Sequence, residues 1–533
     1  MAKVQVEQDL DKVTSQLSAH IWGHRFKDGQ RGAEYVLEFL NILFGTGYSF
    51  NNKHYVRKRS RGLRRFIFEG VKEGAGTKGS ILILKEEERA CLQQAVQEND
   101  LPVLKQFLRN LEVVLYDMTG KEADRSWYAR SLYPLHESLL YFELRKKTAD
   151  NGEAFERNFF ARGGELYFLM LAHGTEAYPE RRAFIEERFR SLLTKNKIIE
   201  NVVGKILSAF NESHDRGDQG ESRNQPVDAI LPDGACVDNI SLFEAFAVEL
   251  EQLLKIDLDI YEMFRLLMAL VCFQLHRYIL ERAGVSHCNI HYFFDCLEGE
   301  NQHISTRSAY NFDDHELVVK TKLEEAFEER YNERIGNDER IIDQLPVWKS
   351  LDEDNSPRFI KIMNLSSLRS RKKLIVQVLE QCSKPEDVRT KLKDVVREIV
   401  SESLKKEKLA ITRTLSRDGG FATFRRGRAM NYRYTITDVF LQMLVFTKVQ
   451  PKEKMEFFNF LDVLYRDYGI VIGESQAKKS GLYERSRLNA RYFQDNEKAL
   501  RDKLRQNGLL IEFSDATAMI QNPYAQAMEA VHA

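Results

Sequence analysis

His287, Cys288, His291 and Cys296 fall within one short stretch, SHCNIHYFFDC, and neutral imidazole with thiolate is a donor set that zinc accepts. The spacing argues against a closed tetrahedral site. His287 and Cys288 are adjacent, and no C-x-x-C pair accompanies them. Beside Tyr292 and Phe293 they read as core residues, so no metal centre is expected, and these four are the residues a zinc ion would use if one bound. GAGTKG (Gly74, Gly76, Gly79) has the spacing of a dinucleotide fingerprint, but strand-like SILILK follows it, where phosphate binding needs a helix N-terminus. Lys78 precedes Gly79, so the Gly-Lys-Ser/Thr ending of a P-loop is missing as well. His20 and His24 in HIWGH lack the glutamate of a metalloprotease motif, and there is no G-x-S-x-G. Asp117, Lys121 and Glu122 come nearest to a nuclease-type acid run, and their spacing is poor. Catalytic residues stay unassigned, no cofactor is expected, and an enzyme is the less favoured reading.

The basic segments carry the strongest chemical signal. RKRSRGLRR (57–65) holds Arg57, Lys58, Arg59, Arg61, Arg64 and Arg65 with no acid. Residues 413–433 hold six arginines against Asp418, and Arg425, Arg426 and Arg428 are interleaved with glycine ahead of Tyr432 and Tyr434. Residues 478–491 set Lys478, Lys479, Arg485, Arg487 and Arg491 against Glu484. Guanidinium forks grip phosphate oxygens in pairs, and glycine lets the backbone approach. The whole chain, with 79 Lys+Arg and 80 Asp+Glu, is nearly neutral. A neutral protein still binds DNA through segregated patches, because charge is screened within about 8–10 Å. The competing reading is a solvated face balanced by the acidic 300–355 stretch.

The elements that must position these residues are mostly helices. At 533 residues, with 43% hydrophobic, 30% charged, 33 Phe and only 10 Pro, the chain has material for two to four domains. Residues 1–210 read as a mainly helical domain with a β-hairpin near 63–84. Its helices are expected at 5–20, 34–44, 87–98, 103–111, 132–147, 164–172, 180–194 and 201–210. Residues 211–226 contain no large apolar side chain, so 211–237 is expected to be a flexible linker. A central helical domain over 238–408 opens with two helical patterns, the second (261–280) stopped by Gly284. Residues 300–360 are polar and acidic, with loops expected around Asp313–Asp314 and Asp352–Asp354, and two further helices follow at 367–381 and 385–406. Residues 409–533 form the basic segment and a C-terminal unit. There Thr437 caps a helix, Gly469 stops a second, and a third covers 488–506. A hairpin over 509–520 completes a winged-helix outline. The third helix would present Arg487, Arg491, Arg501, Lys503 or Arg505 to DNA.

The six cysteines (91, 236, 272, 288, 296, 382) are sparse, which fits a reducing compartment. The first residues lack the apolar core of a signal peptide. The most apolar stretch, 260–280, is interrupted by Glu262, Arg265, His276 and Arg277 and reads as a buried helix. A cytoplasmic protein with no membrane partner is therefore expected.

Three phrases, GHRFKDGQRGAEYVLEFLNIL (23–43), RNFFARGGELYFLML (157–171) and YRYTITDVFLQMLVF with FFNFLDVLYRDYGIVIG (432–473), give the chain a further character. In them it resembles accessory proteins of multi-gene bacterial phage-defence islands, of the methylation-associated or phosphorothioation-associated type. The resemblance implies a role in restricting foreign DNA, as a subunit lacking its own ATPase motif, and it transfers no catalytic residues. The expectation is a mainly α protein with small β-hairpins and a C-terminal winged-helix-like domain. It would act as a non-catalytic DNA-binding or adaptor subunit of an antiphage complex beside an ATPase or nuclease. The alternatives are a metal-dependent nuclease and a helical protein–protein scaffold.

Overall fold

A computed structural model of the chain describes residues 13–23, 30–51, 55, 60–73, 80–97, 100–116, 131–140, 144–146, 153–155, 163–210, 231–232, 234–285, 289–335, 341–351, 357–362, 372–398, 401, 409–425, 431–486, 488–514 and 517–527. Among these residues the protein is mainly helical, with five small sheets of two or three strands. Segment 211–226 and the glycines of GAGTKG lie outside them.

The centre of the fold is the Ile260–Arg282 helix. It is apolar on nearly every face, and 89% of its most apolar window is buried, so it is a core helix although its length and composition would suit a membrane. Asp259 caps its start by accepting from the Glu262 N–H at 2.9 Å. Around it pack Gly32–Gly45, Leu409–Asp418 and Asp438–Lys448, which come from both ends of the chain. The Gly163–Gly174 helix fits between Gly32–Gly45 and Ile240–Leu254. That crossing depends on Gly164: a Cβ there would lie 2.4 Å from the Tyr35 carbonyl oxygen and 2.7 Å from the Phe39 nitrogen.

One apolar cluster therefore runs from Leu17 to Ile520 and takes in residues on both sides of 211–237. The segments expected to be separate N-terminal, central and C-terminal domains share this core. Rings fill its middle, with Phe273 meeting Phe421, Phe440 and Tyr468 edge-on at 5.2–5.4 Å. Several polar groups inside it are paired. Arg277 donates to Glu249 at 2.7 Å, and Gln274 donates to the other Glu249 oxygen at 2.7 Å while accepting from the Tyr167 hydroxyl. His276 and His315 each face a tyrosine hydroxyl, of Tyr292 at 3.1 Å and Tyr434 at 2.6 Å.

Three local expectations change. Leu63–Phe68 is not a strand: residues Arg61–Ile67 form a helix, because Leu63, Phe66 and Ile67 repeat at helical spacing and all three are buried. The β-ladder there is only Lys72–Glu73 with Ser80–Ile81. The described residues of 132–147 form no α-helix either, holding a short 3-10 turn at Glu137–Leu139 and a strand at Leu144–Lys146. The loop expected around Asp313–Asp314 is instead part of a 34-residue helix, Gln302–Ile335. Its buried Ile304, Phe312, Val319, Leu323, Phe327 and Tyr331 trace a narrow stripe along an otherwise polar surface.

Candidate nucleic-acid interface

The C-terminal unit is built from short, well-capped pieces. Thr437 accepts from the Phe440 N–H at 3.4 Å and starts the Asp438–Lys448 helix. Strand Lys454–Glu456 follows, and the Glu456 carboxylate caps the Phe457–Tyr468 helix through the Asn459 N–H. Gly469 ends that helix at φ +69°, where a Cβ would collide with the Ile290 carbonyl oxygen. Ile470–Val471 then pairs in parallel with Tyr292–Phe293. Two short helices, Glu474–Lys479 and Leu482–Ser486, lead into Ala490–Gln506, which buries Phe493, Asn496, Leu500 and Leu504. The antiparallel strands Leu510–Ser514 and Thr517–Gln521 follow, and the second of them also pairs with Lys454–Glu456 to make a three-stranded sheet.

The three basic segments fare differently. In 57–65, Arg57, Lys58 and Arg59 lie outside the described residues, as does the side chain of Arg61. Arg64, expected on the surface, is 1% exposed, because the short helix rolls it in with Leu63. Arg65 is ion-paired to Glu88. These residues rest on an apolar cluster of their own with Leu108, Val203 and Leu207, away from the C-terminal unit.

Residues 413–433 span a helix end and a hairpin, Ala422–Arg425 with Asn431–Tyr434. Arg426 and Arg428, like the Arg425 side chain, lie outside the described residues. The other arginines there are consumed internally. Arg413 grips Glu316 through two bonds of 2.5 and 2.7 Å, Arg417 bonds Asp418 at 3.0 Å, and Arg433 pairs with buried Asp295 at 2.9 Å. The net charge counted along this segment overstates its surface charge.

The 478–491 cluster is the one the fold gathers. Lys478 pairs with Glu474 at 2.7 Å and sits over the Tyr483 ring, and Lys479 pairs with Asp462 at 2.9 Å. Burial would raise the Asp462 carboxyl, but hydrogen bonds from Lys479 and Gln476 outweigh it and hold the group below the usual carboxylate range. Both lysines stay exposed, and such pairs open at little cost. Arg485 and Arg491 are exposed and make no ion pair among the described residues, while Arg487 lies outside them. Lys498, two turns beyond Arg491 on the same helix face, is exposed too and was not singled out by the sequence.

The far half of this helix departs from expectation. Arg501 lies over the rings of Phe457 and Phe458 at 4.6 and 5.2 Å. Lys503 pairs with Glu298 and donates to the Ile436 carbonyl, and Arg505 is held by Asp502 and Glu512. An open groove of about 580 Å³ beside it carries Glu298, Glu300, Asp495 and Asp502 against Lys498 and Lys503. The cationic face thus belongs to the N-terminal turn of the helix and the two short helices before it.

His291 stacks on Tyr465 at 5.6 Å, and burial lowers its pKa, with the nearby Arg485 charge acting in the same direction. Cys296 is buried and its thiol is pushed well up by that burial, which disfavours the thiolate a metal needs. His287 and Cys288 lie outside the described residues, among which no three His, Cys, Asp or Glu side chains group to hold a metal. Comparison of the chain with protein-family models, with curated proteins and with solved structures finds no match.

Proposed function

We propose that the chain is a DNA-binding, non-catalytic subunit of a bacterial antiphage complex, and that residues 438–521 bind duplex DNA as a winged helix. One observation carries the DNA-binding part. Helix Asp438–Lys448, strand Lys454–Glu456 and helix Phe457–Tyr468 are followed, after strand Ile470–Val471 and two short helices, by helix Ala490–Gln506 and two strands, with Thr517–Gln521 central in the sheet between Leu510–Ser514 and Lys454–Glu456. In this reading Ala490–Gln506 is the recognition helix, whose N-terminal residues approach base edges. Arg491 stands at that end, and Lys478, Lys479 and Arg485 flank it. The wing carries no Lys or Arg and acts as steric support. The antiphage setting, with an ATPase or nuclease as partner, is supported by the resemblance of the three sequence phrases.

Anisotropy of a labelled duplex of about 30 base pairs, titrated with the intact chain, tests the binding reading. Affinity that falls steeply with salt supports it, and an absence of binding at low salt overturns it. Affinity capture from the native host tests the setting. Recovery of an ATPase or nuclease supports it, and capture of neither overturns it. The scaffold reading is favoured by a specific feature: the 80–109 region leaves four large apolar side chains exposed, Ile81, Ile83, Val103 and Phe107.

A further inference from the structure

Opposite the C-terminal unit in sequence, the start of the Gly32–Gly45 helix, the end of Leu409–Asp418 and one face of Ile260–Arg282 enclose a pocket of about 290 Å³ with the irregular segment 113–116. Its walls divide by chemistry. One side is aromatic and apolar: Tyr116, Tyr133, Phe264 and Met268. Tyr133 packs against Tyr261 at 4.9 Å and edge-on to Phe264 at 5.7 Å, which fixes its ring. Tyr116 is 55% exposed and has no ring partner among the described residues.

The other side is cationic. Arg31, Arg265 and Arg417 line it with a single carboxylate, Asp418. That carboxylate is already saturated. It accepts from Arg31 at 2.7 and 2.8 Å, from Arg417 at 3.0 and 3.1 Å, and from the Gly32 N–H at 3.0 Å. Asp418 thereby also satisfies the N-terminus of the Gly32–Gly45 helix, so the helix end itself is not an open anion site. Arg265 is exposed and makes no ion pair among the described residues. Of the three guanidiniums that face this one carboxylate, Arg265 keeps its charge beside the Tyr133 and Phe264 rings.

We infer that this pocket binds a mononucleotide, its base lying against Tyr116 and Tyr133 and its phosphate held by Arg265. Guanidinium forks bind phosphate oxygens in pairs. The volume lies at the lower end of ligand pockets, roughly 300–1,000 Å³, which suits one nucleotide rather than a dinucleotide. Aromatic faces accept any base, so selectivity among bases is expected to be slight. The nucleotide comes either free or as the phosphorylated end of a nucleic-acid strand. The inference is independent of the winged-helix reading, because it uses residues from other elements.

The test is calorimetric titration of the intact chain with AMP, with UMP, with a 5′-phosphorylated single strand, and with adenosine and inorganic phosphate as separate controls. The expected result is binding of AMP at least about tenfold tighter than either adenosine or phosphate. If the phosphorylated strand binds and AMP does not, the source is a strand end and the inferred chemistry stands. Arg265→Gln and Tyr116→Ala change exposed side chains, so the unliganded melting temperature should hold while nucleotide affinity falls at least about tenfold. Failure of every nucleotide probe to bind would overturn the inference. So would phosphate binding as tightly as AMP, or affinity unchanged in both variants.

Discussion

Replacing Asn496 with Ala removes one side chain from three hydrogen bonds that fix the proposed recognition helix. Its Oδ1 accepts from the Cys296 N–H at 2.8 Å, and its Nδ2 donates to the carbonyls of Phe294 at 2.9 Å and Ile472 at 3.0 Å. The side chain thus ties Ala490–Gln506 to both strands of the parallel pair, Tyr292–Phe293 and Ile470–Val471. Asn496 is fully buried, so the three backbone groups lose their partner without gaining water. At about 1 kcal/mol net per bond, the loss is about 3 kcal/mol. Asn496→Asp is the sharper variant. It keeps the acceptor for Cys296 but sets a carboxylate against two carbonyls, so it should cost at least as much as Ala. Gln494→Ala, exposed on the same helix, should stay within about 0.5 kcal/mol. Hydrogen exchange read by mass spectrometry on peptides around 290–298 and 470–475 measures the local opening. A 3 kcal/mol loss speeds exchange at the Cys296 amide on the order of a hundredfold. Protection in Asn496→Ala within a few fold of the parent would refute the argument that this residue positions the helix.

Two further outcomes follow from the core. Glu249→Leu strands Arg277, a buried cation also packed on the rings of Phe246 and Tyr468, and should cost about 3–5 kcal/mol in urea denaturation. The double variant Glu249→Leu/Arg277→Met should recover most of that loss, and a double variant no better than the single would contradict the pairing argument. The second concerns pH. Burial, aided by the His291 charge, holds His315 down to about 3, so it stays neutral in the fold while its unfolded counterpart protonates below about 6.5. The unfolded state then binds the extra proton, and this contribution to stability is full above pH 6.5 and is lost as pH falls toward the folded value. His315→Gln should flatten the stability–pH slope between about pH 6 and 4 by up to about 1.4 kcal/mol per unit. An unchanged slope would show that His315 titrates normally.

Most helices are legible because their apolar residues repeat at helical spacing, as in Ile240–Leu254 and Phe457–Tyr468. The 34-residue helix is hidden by composition. Its buried residues occupy one narrow stripe, and the acids around them look like loop unless the step of seven from Phe312 to Val319 and the i, i+4 run through Leu323, Phe327 and Tyr331 are counted. The short helix at 61–67 reads as a strand because so brief a mixture of apolar and cationic residues fits either period. Charge is the least legible property. Counting along the chain cannot reveal that Arg413 meets Glu316 across 97 residues, or that Arg433 meets Asp295. The partners that neutralise these arginines arrive from other elements, so among the described residues the cluster on consecutive short helices is the one that survives as a surface feature. The shared core is also invisible in the sequence, since it is assembled from helices far apart along the chain.

The central claim, duplex binding by the face that holds Lys478, Lys479, Arg485 and Arg491, is tested most directly by the salt dependence of that binding. Arg485→Ala/Arg491→Ala removes two cations of this face that have no ion pair among the described residues, and both are exposed, so the fold should be unaffected. A phosphate that no longer meets its cation keeps its counterions, which flattens the log–log dependence of affinity on salt by about 0.9 for each such phosphate. The account predicts weaker duplex binding with a slope shallower by about 1.8, and no change in either quantity for the double variant would contradict it.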